Sequence, residues 1–166
     1  MRHVPHNEGL NLTSALSDLL DRDQVIARVT ELFLATDRKD WPAVEACFAS
    51  EVAFDMSSAG AGPPRSVRPS EIAGGWESGL AAVEHVHHQA GNFVVRLAGD
   101  RADASCYGIA YHYRRRRDGR NIRVFVGGYE FGLVRDAAAA PAWRITAMRF
   151  NLKFLDGNPA LEAPEP

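Results

Sequence analysis

The sequence predicts an α+β fold in which helices come first and an antiparallel sheet follows. Apolar side chains recur at helical spacing before residue 80, whereas residues 84–155 contain four long runs that alternate with period two. Glycine and aspartate interrupt these runs at 99–100 and 118–119, as is typical of β-hairpins. Helices followed by paired strands favour a sheet with the helices on one of its faces.

The chain has 166 residues, of which 46% are hydrophobic, and a net charge of −2. This length fits one domain, which we expect at 13–157, with flexible polar or proline-rich tails at 1–12 and 158–166. The charge favours no nucleic-acid partner, and no apolar run approaches the roughly 20 residues of a membrane span. Cys47 and Cys106 lack metal-type spacing and predict free thiols, which favours a cytoplasmic location.

Several helices are predicted in the first half of the chain. A short helix at Leu12–Leu20 precedes a longer one that Asp21 or Asp23 caps and that ends near Lys39. The longer helix has a buried stripe at helical spacing, formed by Val25, Val29, Leu32, Phe33 and Thr36.

A second, shorter helix begins at Asp40 and Pro42 and ends with Phe48. Val52–Met56 alternates as a brief strand, and a loop rich in glycine and proline follows as far as Pro69. The next helix is capped by Ser70 and carries Ile72, Trp76 and Leu80.

The strand predicted at 101–115 has one face of small residues and a single histidine, His112. Such a face leaves space that its own side chains do not fill. The neighbouring runs show a similar pattern, with His88 before this strand and Glu130 after it. We therefore expect His88, His112 and Glu130 on one concave face, where a ligand binds.

Large apolar side chains alternate on the opposite side of these strands. A solvated sheet does not expose so many of them. We therefore expect a homodimer packed sheet to sheet through Tyr107, Ile109, Tyr111, Tyr129 and Phe131, with Phe125 and Leu133 on the same side.

Two other motifs do not require a ligand. His85, His87 and His88 alternate on a strand, so they point to opposite sides, and catalytic zinc takes three convergent ligands. The arginine run at 114–117 lies at a predicted hairpin tip, where charged groups are solvated. We therefore expect neither a metal nor nucleic acid as partner.

Short motifs occur in an order that is known from one family. They are Asp37–Trp41, Val52–Asp55, His88 with Gly91 and Asn92, His112, Gly127–Tyr129 and Trp143–Ile145. Over residues 20–157 the sequence resembles the SnoaL-like branch of the nuclear transport factor 2-like superfamily. The resemblance implies a cystatin-like α+β barrel, a cone-shaped curved antiparallel sheet wrapped around N-terminal helices with a pocket between them.

Within this branch the sequence is most similar to the scytalone dehydratase type. The resemblance implies that Asp37, His88 and His112 form a hydrogen-bonded acid–base group, which moves a proton between a carbon beside a carbonyl and a departing hydroxyl group. A histidine with an ordinary pKa of about 6.5 suits this transfer near neutral pH. Thr36 and Met56 occupy the positions of two tyrosines that polarise the carbonyl in this type.

We therefore expect a lyase or isomerase that needs no cofactor and acts on a small hydrophobic carbonyl compound such as a polyketide, steroid or terpenoid. We expect Met56, Trp76, Met148 and Phe150 to line the pocket. Glu130 is expected to contact the substrate with them and could be a second acid or base. The alternatives are a binding protein without turnover, which the two missing tyrosines favour, and an accessory subunit of an oxygenase.

Each candidate residue also has a structural interpretation. A lone histidine on an apolar strand is often a core residue with its hydrogen bonds satisfied. Asp37 is placed where it could cap the following helix, and Glu130 could pair with an arginine.

Overall fold

The computed structural model describes residues 12–117 and 119–164. Within these residues, the helices are α1 (Leu12–Asp37), α2 (Trp41–Ala46) and α3 (Pro69–Gly79), with a short 3-10 helix at Ser57–Ala59. The strands are β1 (Phe48–Asp55), β2 (Arg65–Val67), β3 (His85–Ala98), β4 (Arg101–Tyr113), β5 (Ile122–Arg135) and β6 (Trp143–Gly157). No helix in this part of the chain is long and apolar enough to cross a membrane.

The strands form one six-stranded sheet in the order β2-β1-β6-β5-β4-β3. β1 runs parallel to β6, and every other neighbouring pair is antiparallel. Register shifts interrupt the pairing, for example between Gly91 and Val94 of β3, where Asn92 has a φ of 57°. Because such bulges bend strands, the sheet curves around α1, which confirms the predicted α+β cone.

Helix α1 is continuous, so the predicted break near residue 21 is wrong. Asp21 does not cap a helix, because its carboxylate accepts two hydrogen bonds of 2.7 Å from the guanidinium group of Arg135 on β5. The predicted stripe of this helix is buried as expected: Val25, Val29, Leu32, Phe33 and Thr36. The Asp21–Arg135 contact and the buried stripe hold this helix against the sheet, and its last residue is Asp37.

Helices α2 and α3 begin close to where they were predicted. Asp40 caps α2, accepting from the backbone N–H of Ala43. Helix α3 begins one residue before Ser70, which is not its cap, and the Glu71 carboxylate accepts from the backbone N–H of Arg68. Phe48 starts β1 instead of ending α2, and the predicted loop contains β2.

The prediction of which side chains of β5 face inward is wrong by one residue. In the β4–β5 register, buried Cys106 is paired with Tyr129 and buried Ala104 with Phe131, so these large residues face the core. Glu130 pairs with Ser105 and faces outward. Successive side chains of a strand point to opposite faces, so an error of one residue reverses the predicted direction of all of them. Phe125 and Leu133, which were predicted on the outer face, therefore also face inward.

Size complementarity across the strands accounts for this register. A Cβ atom added at Gly108 would come within 2.4 Å of the Tyr129 ring, and one added at Gly127 within 2.6 Å of the Phe150 ring. Gly108 on β4 and Gly127 on β5 thus each make room for an aromatic ring from the next strand of the sheet.

The segment 158–164 contains no helix or strand, but it packs against the body of the domain. Leu161 is fully buried. The guanidinium groups of Arg114 and Arg116 donate to the carbonyl oxygens of Leu161 and Ala163. The N-terminal tail predicted at 1–12 falls almost wholly outside the described residues, as does Asp118 of the second predicted hairpin.

Candidate functional site

A cavity of about 380 Å³ lies between the helices and the concave face of the sheet. Its wall is mostly apolar and includes the residues that were expected there: Met56, Trp76, Met148 and Phe150. His88 and His112 also line it. Its volume is at the lower end of the range for ligand pockets, so it suits a small ligand.

His88 is joined to Asp37, the last residue of α1, by three hydrogen bonds. Its backbone N–H donates to both carboxylate oxygens at 3.0 Å, and its Nδ1 lies 2.6 Å from Oδ1. Asp37 therefore does not cap α2, whose N-cap is Asp40. The His88 ring stacks on Phe33 with a centroid separation of 5.1 Å. The His88 and Asp37 side chains are only 12% and 14% exposed, so solvent screens the pair weakly.

His112 lines the same cavity but has a cationic partner. His88 pairs with Ala110 in the β3–β4 register, which makes His112 its diagonal neighbour on the same face. The Nδ1 atom of His112 lies 3.3 Å from Nη2 of Arg123. Burial, and next the positive charge of Arg123, lower the pKa of His112 to about 3, so the ring is neutral near pH 7. The predicted trio is thus one pair, Asp37–His88, and a separately bonded His112.

These partners determine which ring nitrogen of each histidine carries the proton. A guanidinium group only donates, so Nδ1 of His112 accepts and the proton lies on Nε2. A carboxylate only accepts, so Nδ1 of His88 donates, and in the neutral ring the lone pair is on Nε2. The two rings therefore offer opposite groups at Nε2, an acceptor on His88 and a donor on His112.

Tyr129 also lines the cavity, although we expected it on the outer face. The other polar or charged lining residues besides the two histidines are Thr36, Arg65 and Glu71. The ring of Tyr129 packs edge-on against Phe33 at 5.0 Å and lies 4.6 Å from the ring of Phe150. Burial raises the pKa of its phenol above the usual value, so the hydroxyl group is protonated. No described residue accepts a hydrogen bond from this hydroxyl group. A phenol is therefore present in the cavity although Thr36 and Met56 replace the two expected tyrosines.

Glu130 lies outside the cavity, so its predicted role as a second acid or base is wrong. Its side chain is 57% exposed on the outer face. One carboxylate oxygen is 3.5 Å from Nη1 of Arg149, and the other accepts from the amide of Asn151 at 3.3 Å. Glu130 thus pairs with an arginine, which was the structural alternative to a catalytic role. Exposed ion pairs of this kind add little stability.

Two residues around His112 were not predicted. Arg123 is the register partner of His112 on β5, and Glu162 comes from the segment 158–164. Arg123 belongs to a charged stretch near a hairpin, and Glu162 lies in a tail that has no periodicity, so no local pattern marks either one. Only the pairing register of the strands, together with the path of the tail, brings them to the site.

Among residues 12–117 and 119–164, no three His, Cys, Asp or Glu side chains are placed to hold a metal ion. Cys47 and Cys106 are both buried and unpaired with each other. Burial raises the pKa of the Cys106 thiol to about 12, so the thiol is protonated and unreactive near neutral pH.

Comparison with known families explains this architecture. A family model for the SnoaL-like domain matches residues 17–149, which is most of the chain. This chain belongs to the SnoaL-like family. The match confirms the resemblance inferred from the short motifs. No curated protein sequence matches this SnoaL-like chain.

Solved structures similar to this SnoaL-like protein share its fold. The Kfla4162 protein from Kribbella flavida superposes with a TM-score of 0.78 at 22% identity, covering 87% of this chain and 97% of that chain. A Novosphingobium aromaticivorans protein provisionally named an aromatic ring hydroxylase has a TM-score of 0.73 at 25% identity, with the same coverage.

A second Novosphingobium aromaticivorans protein, provisionally named a scytalone dehydratase, has a TM-score of 0.73 at 11% identity. It covers 87% of this chain and 91% of that chain. Two of these three structures thus have enzyme names, but one fold serves many reactions. The chemistry of this chain therefore depends on the side chains of its cavity.

Proposed function

We propose that this SnoaL-like protein is a lyase or isomerase that needs no cofactor and uses His88 as its base. The observation that supports the proposal is the Asp37 carboxylate, held 2.6 Å from Nδ1 of a histidine that lines an apolar cavity. The carboxylate orients the ring, leaves Nε2 free to accept a proton, and stabilises the imidazolium ion that forms.

The reaction begins when Nε2 of His88 removes a proton from a carbon next to a carbonyl group. The electrons of that C–H bond move into an enolate, so negative charge develops on the carbonyl oxygen. Exposed Arg65 also lines the cavity. We assign this oxygen to two less exposed donors, Nε2–H of His112 and the hydroxyl group of Tyr129. Both are neutral donors, because the His112 ring is uncharged and the Tyr129 phenol is protonated.

The second step returns the proton from His88. In a dehydration, the enolate expels a hydroxyl group, which takes the proton and leaves as water. In an isomerisation of an unsaturated ketone, the enolate is conjugated with the C=C bond, and the γ-carbon of this dienolate takes the proton. The cavity wall is mostly apolar, which favours a hydrophobic carbonyl compound of polyketide, steroid or terpenoid type.

Exchange of carbon-bound hydrogen in D₂O tests this proposal without knowledge of the natural substrate. Ketones and cyclic enones that raise the melting temperature of the protein are incubated with it, and deuterium uptake beside the carbonyl is followed by NMR. We expect exchange with the unaltered protein and a loss of about 10²-fold or more with His88→Asn. The matched control is Glu130→Gln, which removes an exposed carboxylate outside the cavity and leaves exchange unchanged. Equal exchange by the His88 variant would contradict the proposal.

The second candidate is a binding protein that uses the same cavity without turnover. It is favoured by Thr36, whose hydroxyl group donates to the carbonyl oxygen of Leu32 at 2.8 Å and is therefore already engaged. With Met56 at the other tyrosine position, Tyr129 is the phenol that the described cavity wall supplies. Ligands that raise the melting temperature but exchange no deuterium would support this candidate.

We also propose that the protein forms a homodimer through the outer face of its sheet. Tyr107 is 57% exposed there and Tyr111 37% exposed, with half-buried Ile109 between them, whereas Tyr129 and Phe131 belong to the interior. We expect Tyr107→Asp to give a monomer in light scattering, because a charge would be buried in the contact. A dimer that persists in this variant would contradict the proposed interface.

A further inference from the structure

Arg123 lies beside His112 on the neighbouring strand. The two residues are register partners on β5 and β4, so they project from the same face of the sheet. The guanidinium group of Arg123 lies 4.8 Å from the centre of the Phe125 ring, and its side chain is 14% exposed. Its position is thus set by packing as well as by charge.

Glu162 brings a carboxylate to the same place. Its Oε1 accepts a hydrogen bond from Nη2 of Arg123 and lies 3.9 Å from Nδ1 of His112. Nη2 of Arg123 carries two hydrogens, so it donates one to Glu162 and one to His112. Because both bonds share one nitrogen, the position of the carboxylate orients the hydrogen that reaches His112.

The segment that carries Glu162 is anchored on both sides of it. Leu161 is fully buried, and its carbonyl oxygen accepts from Nη1 of Arg114 at 3.2 Å. Arg114 also donates to the carbonyl oxygen of Ala163 at 3.2 Å. These contacts hold backbone on either side of Glu162, so its carboxylate occupies a defined place.

The charged groups around His112 show how the position of Arg123, between Glu162 and the ring, affects protonation of the ring. Besides Arg123 and Glu162, the charged or titratable groups that act on the ring are His88, Asp37 and Lys39. If Arg123 were absent, the carboxylate of Glu162 would face Nδ1 directly and favour the protonated imidazolium ion. With Arg123 between them, Nδ1 accepts a hydrogen bond and the ring keeps its single proton on Nε2.

We propose that Arg123 and Glu162 are positioning residues, which hold His112 as a neutral ring with its proton on Nε2. The segment 158–164 is thereby part of the site, although it does not line the cavity. The inference rests on the proposed function in one respect, because His112 is useful as a donor only if the cavity binds a carbonyl oxygen. The state of the ring itself does not depend on any reaction.

NMR of the imidazole nitrogens in the full chain tests the inference. The His112 signals are assigned by their loss in His112→Gln. In the unaltered protein we expect a single Nε2–H tautomer between pH 5.5 and 8. In Glu162→Gln the preference for this tautomer should fall by about tenfold or more, the loss that corresponds to one hydrogen bond to a charged group. A tautomer preference unchanged in this variant would overturn the role of Glu162.

Arg123→Met provides the second measurement. It removes the donor and the positive charge while Glu162 is kept, so the pKa of His112 should rise by more than one unit. Arg123→Lys keeps the charge and should leave the ring neutral but with mixed tautomers. A pKa of His112 that is unchanged in Arg123→Met would overturn the role of Arg123.

Asp156→Asn is the matched control, because it removes an exposed pair with Arg120 and should leave the His112 signals as they are. These spectra also separate the inference from the proposed function. If no ketone exchanges deuterium but the tautomer responds as described, the proposed function fails and the inference holds. If exchange occurs and the tautomer does not respond, the reverse is true.

Discussion

The surroundings of His88 and of His112 differ in the sign of the charge that each ring meets. Both are histidines on adjacent strands, both line one cavity, and both side chains are 12% exposed. His88 meets the carboxylate of Asp37, whereas His112 meets the guanidinium group of Arg123. Similar burial therefore gives opposite chemical roles, because the partner at Nδ1 decides whether Nε2 accepts or donates.

This difference shows that the position of a histidine in a strand sequence does not reveal whether the ring accepts or donates a proton. The partner of His88 is the end of a helix that lies 51 positions earlier in the chain. The partner of His112 is on the next strand and is itself held by a residue near the end of the described chain. The different roles of the two histidines thus depend on tertiary contacts. Two substitutions and one change of pH test this difference.

The largest effect on the rate of proton exchange is expected from loss of the Nε2–H donor of His112. His112→Phe removes the Nε2–H group and should lower the rate of proton exchange by about 10²–10³-fold, the range measured for loss of one oxyanion donor. His112→Gln keeps an amide donor and should lose less. Deuterium uptake by a responsive ketone, measured for both variants, checks this order. Equal losses in the two variants would mean that donation by His112 is not its contribution.

A smaller effect on this rate is expected when the carboxylate beside His88 is replaced by a neutral group. Asp37→Asn keeps the size of the side chain but removes the charge that stabilises protonated His88. A hydrogen bond to a charged group contributes about 1.5–3 kcal/mol, so exchange should slow by roughly ten- to a hundredfold. Ligand affinity in a thermal-shift titration should change little, because Asp37 does not line the cavity. Full exchange activity in this variant would show that the pair is structural.

The third prediction concerns stability rather than rate, and it applies to His112. Its pKa is lowered to about 3 in the folded protein, whereas an unfolded histidine has a pKa of about 6.5. Between these values the unfolded chain binds one more proton, so the free energy of unfolding should fall by up to about 1.4 kcal/mol per pH unit as the pH drops below about 6.5. The loss is complete near pH 3.

Urea unfolding at pH 7 and pH 5 checks this, with His112→Gln as the protein that lacks the titrating ring. From pH 7 to pH 5 the unaltered protein should lose roughly 2 kcal/mol more than the variant. Parallel losses in the two proteins would show that the ring titrates normally in the fold.

Much of the fold follows from sequence periodicity. The buried stripe of α1 and the alternation of β4 were recognisable, because each burial pattern repeats within one element. The short motifs indicated the family, which the family model confirms. His88, His112 and the four apolar residues of the cavity wall lie where the alternation and the resemblance placed them.

The facing of β5 could not be obtained in the same way. Both faces of this strand contain apolar or small residues, so its period is visible but its phase is not. Choosing the phase that matched the numbering of β4 placed Glu130 inside and Tyr129 outside, and both placements are wrong. The phase depends on the residues at the hairpin tip, where one residue more or less reverses the strand.

The contact between Gly108 and the Tyr129 ring constrains any redesign of the cavity. Because a single added methyl group at Gly108 would overlap the ring, these two positions behave as one unit of fixed combined volume. A larger residue at Gly108 alone should destabilise the fold by about 1–3 kcal/mol, whereas pairing it with a smaller residue at 129 would change the shape of the cavity. Because the second substitution also removes the Tyr129 hydroxyl group, such pairs should change which ligands bind while lowering the rate of proton exchange.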